Sequence, residues 1–354
     1  MMNRRLFLKS SLLLPTLLLA PIGFAAESGW RTFEITTRVK LESAGPAKLW
    51  LPVPIVNTDY QVLLGNVFVA EGAKASIMQP ANSGIGVLVV EFAADHPKVA
   101  ELTSRFSTRD RSVDFDRPGA AVKIDDSRLK KYLAPTNLIP VDGIVSNTAL
   151  EATAGAKTDL QKARAIYEWI VENATRDPKV RGCGVGDIKS MLEIGDLSGK
   201  CADLSALFVG LARASGIPAR DVYGIRVADS RLGYQSLGKS GDITKAQHCR
   251  AEFYLDGYGW VPVDPADVRK VMLEEAGGLP LGDPKVVAAR KRLFGSWEMN
   301  WLAFNYASDV LLPYATQGKI GFFMYPNAES QQRRIDSLDP ENFEYRINSH
   351  EIIT

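Results

Sequence analysis

One stretch constrains the fold more than any other. Residues 198–220 read S-G-K-C-A-D-L-S-A-L-F-V-G-L-A-R-A-S-G-I-P-A-R. Leu204, Leu207, Phe208 and Leu211 recur at intervals of three and four, so the segment reads as a helix with a buried apolar stripe. Ser198 or Gly199 can cap its start, Asp203 suits its first turn, and Gly216 followed by Pro218 stops it. Cys201 then falls in the first turn, three residues before Leu204, on the buried side. A thiol placed there faces unpaired backbone N–H groups and the positive end of the helix dipole. Both favour its anion, which is the reactive form.

Further along, residues 246–255 and 260–263 read as a β-hairpin, preceded by a strand over 221–227. Cys249, Ala251, Phe253 and Leu255 make one face apolar; His248, Arg250, Glu252 and Tyr254 make the other polar. A three-residue loop, Leu255-Asp256-Gly257, pairs Tyr254 with Tyr258 and sets His248 opposite Asp264. Their Cβ atoms are then roughly 5 Å apart, within reach of an imidazole–carboxylate hydrogen bond. A thiol, an imidazole and a carboxylate so placed can serve as nucleophile, general base and orienter. Each has a plainer reading alone: a core cysteine, a half-buried strand histidine, an Asp-Pro turn. It is the three together, with the helix start and the shared strand face, that point to catalysis.

The rest of the chain gives an outline. Its 354 residues suggest two or three domains. Strand-like alternation at 30–53 and 67–92 places an antiparallel β domain at 27–120. A catalytic domain at 121–275 follows, with a helix over 160–173 carrying Ala163, Ile166, Tyr167, Ile170 and Val171 on one side and Asp159 as its expected cap. Residues 276–354 are expected as an extension packing on the core. The fold class is α+β. Residues 233–241 read as a mobile loop. Trp297, Trp301, Phe304 and Tyr306 are expected as core, and His96 and His350 as surface residues.

The first 26 residues read as an address, not as structure. Arg4-Arg5, Phe7-Leu8-Lys9, an apolar run and small residues before position 27 form a secretory signal of twin-arginine type. A periplasmic or extracellular location is expected, with no stable membrane insertion after cleavage. Net charge of +1 gives no reason to expect nucleic acid as a partner. Three cysteines, Cys183, Cys201 and Cys249, are too few for a disulfide scaffold. Free buried thiols at 183 and 249 are expected over a disulfide between them. No metal and no cofactor is expected; residues 248 and 249 should point to opposite sides of their strand, which argues against a site shared by the cysteines and His248.

G199-x-C201 opening a helix, L211-A-R-x-x-G-I-P-A-R220, H248-x-x-x-E252 and G257-Y-G-W-V-P-V-D264-P together resemble the bacterial branch of the transglutaminase-like superfamily, over roughly residues 160–266. The resemblance implies a papain-like core, a helix-borne cysteine set against a sheet, with an N-terminal β domain before it. It implies Cys201 as nucleophile, His248 as base and Asp264 as orienter. The family often carries an aromatic residue two positions after the histidine; here it is Arg250. That cation can receive a substrate carboxylate or pair with Glu252, and the pairing is preferred. Trp260 is a second candidate substrate contact. The Cys201 backbone N–H is the natural oxyanion donor. The implied chemistry is hydrolysis of amide or peptide bonds in a protein or peptide substrate of the cell envelope. The alternatives are transglutaminase cross-linking of glutamine to amines, cleavage of peptidoglycan crosslinks, or a non-catalytic cell-envelope binding module.

Overall fold

The computed structural model describes residues 29–119, 124–331 and 333–353. The signal segment expected at 1–26 lies outside the described residues. The fold is α+β, two β sheets beside a helix-and-sheet core.

The alternation near the N-terminus produces a β sandwich. One sheet runs 241–242, Phe343–Ile352, Arg31–Leu41, Val99–Thr108, Gln61–Val69; the other runs Arg333–Ile335, Asn327–Ser330, Ala47–Val53, Gly86–Phe92, Lys74–Met78. Val39, Leu41, Leu49, Leu51, Val90, Leu102 and Phe343 fill the space between them. The C-terminal residues therefore do not simply pack on the catalytic core as expected. Phe343–Ile352 pairs antiparallel with Arg31–Leu41 over ten residue pairs, from Thr32 with Ile352 to Leu41 with Phe343. The unpaired edge of the first strand supplies the reason: its N–H and C=O groups need a partner, and the last strand provides one.

The helix-and-sheet core is built on an antiparallel sheet in the order Gly259–Val263, Gln247–Leu255, Ala219–Arg226, Trp301–Asn305. The helix Cys201–Ala214 packs on it, and every one of its first thirteen residues is buried. Leu204, Leu207, Phe208 and Leu211 have no exposed surface, worth about 2 kcal/mol apiece in burial. Asp159–Asn173 covers it, with the five residues of its expected stripe all buried. Thr158, not Asp159, caps that helix: its hydroxyl accepts from Gln161 N at 3.2 Å. Asp159 is one residue too late for the role and sits in the first turn instead. Trp301–Asn305 belongs to this sheet, so the segment beyond 276 serves both halves of the molecule.

Candidate active site

The site grows from the start of the Cys201 helix. Lys200 occupies the cap position, in place of the expected Ser198 or Gly199, which form a short β bridge with Thr175 and Arg176. Asp203 carries the capping hydrogen bonds. One carboxylate oxygen accepts from Lys200 N at 2.9 Å; the other accepts from Val185 N at 2.9 Å and Gly186 N at 2.8 Å. The carboxylate thus pins the 183–186 loop over the helix start. Gly184 is at φ +90°, and a Cβ there would fall 1.8 Å from an Asp203 oxygen, so only glycine fits. The Ala202 N–H donates to Cys183 O at 2.9 Å. The Cys201 N–H has no partner among the described residues, as an oxyanion donor requires.

The hairpin turns one pair later than expected. Leu255 pairs with Gly259 and Tyr254 with Trp260, because the turn uses Gly257 and Gly259, both at positive φ. Asp264 consequently stands level with Arg250 and diagonal to His248, yet on the same face. It ends the strand and caps the helix Pro265–Glu274, one oxygen accepting from Asp267 N at 3.0 Å. Its other oxygen lies 2.7 Å from His248 Nε2. Nδ1 is left free of Asp264, and His248 and Cys201 line the same cleft, where the imidazole favours the Cys201 thiolate. Cys201, His248 and Asp264 are at most 4% exposed.

Around His248 and Asp264 lies a buried charge network. Asp267 holds Arg226 at 2.5 Å and stands 3.5 Å from His248 Nε2. Arg250 Nε is 3.4 Å from Asp264, its guanidinium lies against the rings of Trp297 and Trp301, and it donates to Glu298 O at 3.0 Å. Burial and then the Arg226 charge lower the His248 pKa, but Asp267 and Asp264 outweigh them and hold it above the ordinary value. Burial opposes the Cys201 thiolate, yet hydrogen bonds from Cys183, Cys249 and His248 take the Cys201 pKa well below that of a free thiol. Burial, helped by the Asp267 charge, raises Asp264. Asp267 is pulled down against its burial, first by Arg226.

The three cysteines are free, and their sulfurs lie within 4.8 Å of one another. Cys249 faces the buried side of its strand, as alternation suggested, and there meets the Cys201 and Cys183 sulfurs, while His248 groups with Asp264 and Asp267. Met324 Sδ lies 3.7 Å from Cys249 Sγ. Four sulfurs make a donor set suited to a soft metal ion. The nearby His248, Asp264 and Asp267 form a second compact group, but Arg226 and Arg250 already supply the positive charge a metal would bring.

Cys201 and His248 open on a cleft of about 750 Å³ between the core and the C-terminal strand of the sandwich, lined also by Lys200, Lys270, Tyr325 and Tyr345 among others. The wall at 235–246 is tied down: Leu237 O accepts from Arg226 at 2.9 Å and from Asn300 at 2.8 Å. No helix among the described residues is long and apolar enough to cross a membrane.

Comparison with known proteins decides the family. The transglutaminase-like superfamily pattern matches residues 146–265. An uncharacterised protein of Haemophilus influenzae is 37% identical over 320 residues, covering 86% of this chain and 86% of its own length. The chain belongs to the transglutaminase-like superfamily. A crystal structure of a candidate cysteine protease from Cytophaga hutchinsonii superposes with a TM-score of 0.53 at 15% identity, covering 92% of this chain and 90% of that one. That likeness is one of fold. The periplasmic domain of TgpA from Pseudomonas aeruginosa gives a TM-score of 0.38 at 17% identity, over 69% of this chain and 93% of that one, and carries no argument.

In this transglutaminase-like chain two expected substrate contacts lie elsewhere. Arg250 is fully buried on Asp264 and two tryptophans, unable to meet a ligand in the cleft, and it does not pair with Glu252. Glu252 is taken by Arg220 at 2.6 Å and by Arg111. Trp260 sits at the far end of the hairpin, with Arg220 3.9 Å over its ring and Tyr132 and Tyr254 at its edges. Both misplacements come from partners distant in sequence. Asp267 and Arg226 were missed. The spacing D264-P-A-D267 was the available signal, since an Asp three residues into a helix lies on the same side as its cap.

Proposed function

We propose that the protein is an exported thiol hydrolase that cleaves amide or peptide bonds through a thioester on Cys201. One observation carries the reading: His248 Nε2 is fixed 2.7 Å from an Asp264 oxygen, and His248 lines the same open cleft as Cys201, a thiol at a helix start. The raised His248 and lowered Cys201 pKa both favour the thiolate–imidazolium pair from which the reaction starts. The thiolate adds to the scissile carbonyl. The resulting oxyanion accepts from the free Cys201 N–H. His248 then gives its Nδ1 proton to the leaving amine, the C–N bond breaks and the thioester remains. Water enters, His248 takes its proton, hydroxide adds to the thioester, and the acid leaves as sulfur regains its electron pair. Asp264 keeps Nε2–H toward itself throughout, holding the tautomer that leaves Nδ1 for the reaction. The N-terminal signal reading supports export.

Hydrolysis is preferred to amine transfer because the cleft carries far more Lys and Arg side chains than carboxylates. A protonated lysine acceptor would be repelled there; water is not. The test is a peptide and protein turnover screen by mass spectrometry, wild type against Cys201→Ala, in H₂¹⁸O and with a labelled primary amine. The expected result is one ¹⁸O in the acid product, absent from the variant. Amine incorporation without ¹⁸O would replace hydrolysis by transamidation, and product from folded Cys201→Ala would end the reading.

A further inference from the structure

The positive charge of this chain is unevenly placed. Its net charge is only +1, yet seven Lys and Arg side chains line the cleft against two carboxylates, Glu274 and Glu344. Arg226 and Arg181 are neutralised by Asp267 and Asp336. Lys200, the residue before Cys201, forms no ion pair with a described residue, nor do Lys239 and Lys245 of the 235–246 wall. Lys270, one turn beyond Asp267 on the same helix, is only 20% exposed. Its nearest carboxylate, Glu274 at 3.6 Å, is already held by Arg176 at 2.7 Å. Burial, and after it the Arg226 charge, lowers the Lys270 pKa. A cation that is partly desolvated and short of an anion is costly unless something else supplies the anion.

We propose that this cleft is the binding site for an anionic peptide, an acyl donor with one or more carboxylates within about a residue of the scissile amide. The inference rests on the reading of the cleft as the active site and names its substrate class. Lys200 and Lys270 flank Cys201 and His248 and meet the carboxylates nearest the reacting carbonyl. Lys239 and Lys245, exposed at the rim, draw the peptide in. The buried carboxylates beside His248, Asp267 and Asp264, do not oppose this, since Arg226 and Arg250 compensate them. A cleft of about 750 Å³ takes an extended peptide of a few residues.

The test uses the full chain carrying Cys201→Ala and two dye-labelled hexapeptides differing only in two central residues, Glu-Glu or Gln-Gln, read by fluorescence anisotropy. The Glu-Glu peptide should bind at least about tenfold more tightly at about 50 mM salt, and the preference should shrink at about 500 mM. Lys239→Gln with Lys245→Gln should weaken the preference, and Lys270→Gln should weaken it further. Equal affinity, no binding of either peptide, or a preference untouched by the lysine variants would overturn the proposal. Tighter binding of a short oligothymidylate than of the Glu-Glu peptide would also overturn it. Failure of this inference is separable from failure of the enzyme reading. Wild type that acylates Cys201 with both peptides equally sinks the preference and leaves the enzyme. A Glu-Glu preference with no acylation by any peptide sinks the enzyme and leaves an anionic-peptide site.

Discussion

Asp267→Asn separates the catalytic electrostatics from simple scaffolding. Asp267 does not hydrogen-bond the imidazole directly; it stands 3.5 Å from His248 Nε2 and holds Arg226 at 2.5 Å. A bare ion pair at that separation, with an effective dielectric constant of about 20, is worth about 5 kcal/mol. Arg226, drawn in by the same oxygen, cancels part of it. We expect the imidazolium to lose roughly one to two pK units, about 1.4 to 2.7 kcal/mol. The sign is fixed: removing a negative charge disfavours the cationic ring, and only Asp264 is then left to offset burial and the Arg226 charge. Asparagine keeps an oxygen for Arg226, so the fold should survive. The chain has three histidines, His96, His248 and His350, and the other two are exposed. A ¹⁵N-histidine NMR titration therefore reads His248 directly. The expected outcome is a His248 titration displaced to lower pH, with slower alkylation of Cys201 at pH 7. A folded variant whose His248 titrates within about 0.3 unit of wild type would refute the reasoning.

Other perturbations test the surroundings. Asp221 is buried with neither oxygen hydrogen-bonded, and burial, against the pull of Arg213, raises its pKa from 3.8 to about 7. Because the folded-state value is raised, this carboxyl costs stability as pH rises from about 4 to 7; Asp221→Asn should be neutral below pH 4 and more stable by about 4 kcal/mol above pH 7, read from urea midpoints, and a pH-independent difference would contradict it. Gly184→Ala should destabilise by roughly 2 to 4 kcal/mol and slow Cys201 alkylation, since its Cβ would collide with the Asp203 carboxylate; an unchanged melting temperature would show that the loop yields. Cys183→Ala combined with Cys249→Ala should raise the Cys201 pKa and move its alkylation curve to higher pH, since both thiols favour the Cys201 anion, and a pH–alkylation curve identical to wild type would exclude that role.

The local parts of this architecture were legible in the sequence because short-range patterns carry them. Leu204, Leu207, Phe208 and Leu211 define their helix within two turns, and the polar face shared by His248 and Asp264 follows from alternation together with a three-residue loop. The register slipped because two glycines, 257 and 259, compete for the turn, and the energy difference between the two loops is not written in either residue. Arg250 was misread because its partners, Trp297, Trp301 and Glu298, lie about fifty residues away. The closing of the first sheet by Phe343–Ile352 spans some three hundred residues, and no local period announces it. The clustering of Cys183 with Cys201 depends on a loop folded back by Asp203, a contact that spacing cannot express.

The most direct test of the account is the pH dependence of Cys201 carboxamidomethylation, followed residue by residue with mass spectrometry. The account predicts that Cys201 is labelled far faster than Cys183 or Cys249 and titrates well below the free-thiol value of about 8.5. Labelling of Cys201 that is no faster than the other two, or that rises only above that value, would contradict it.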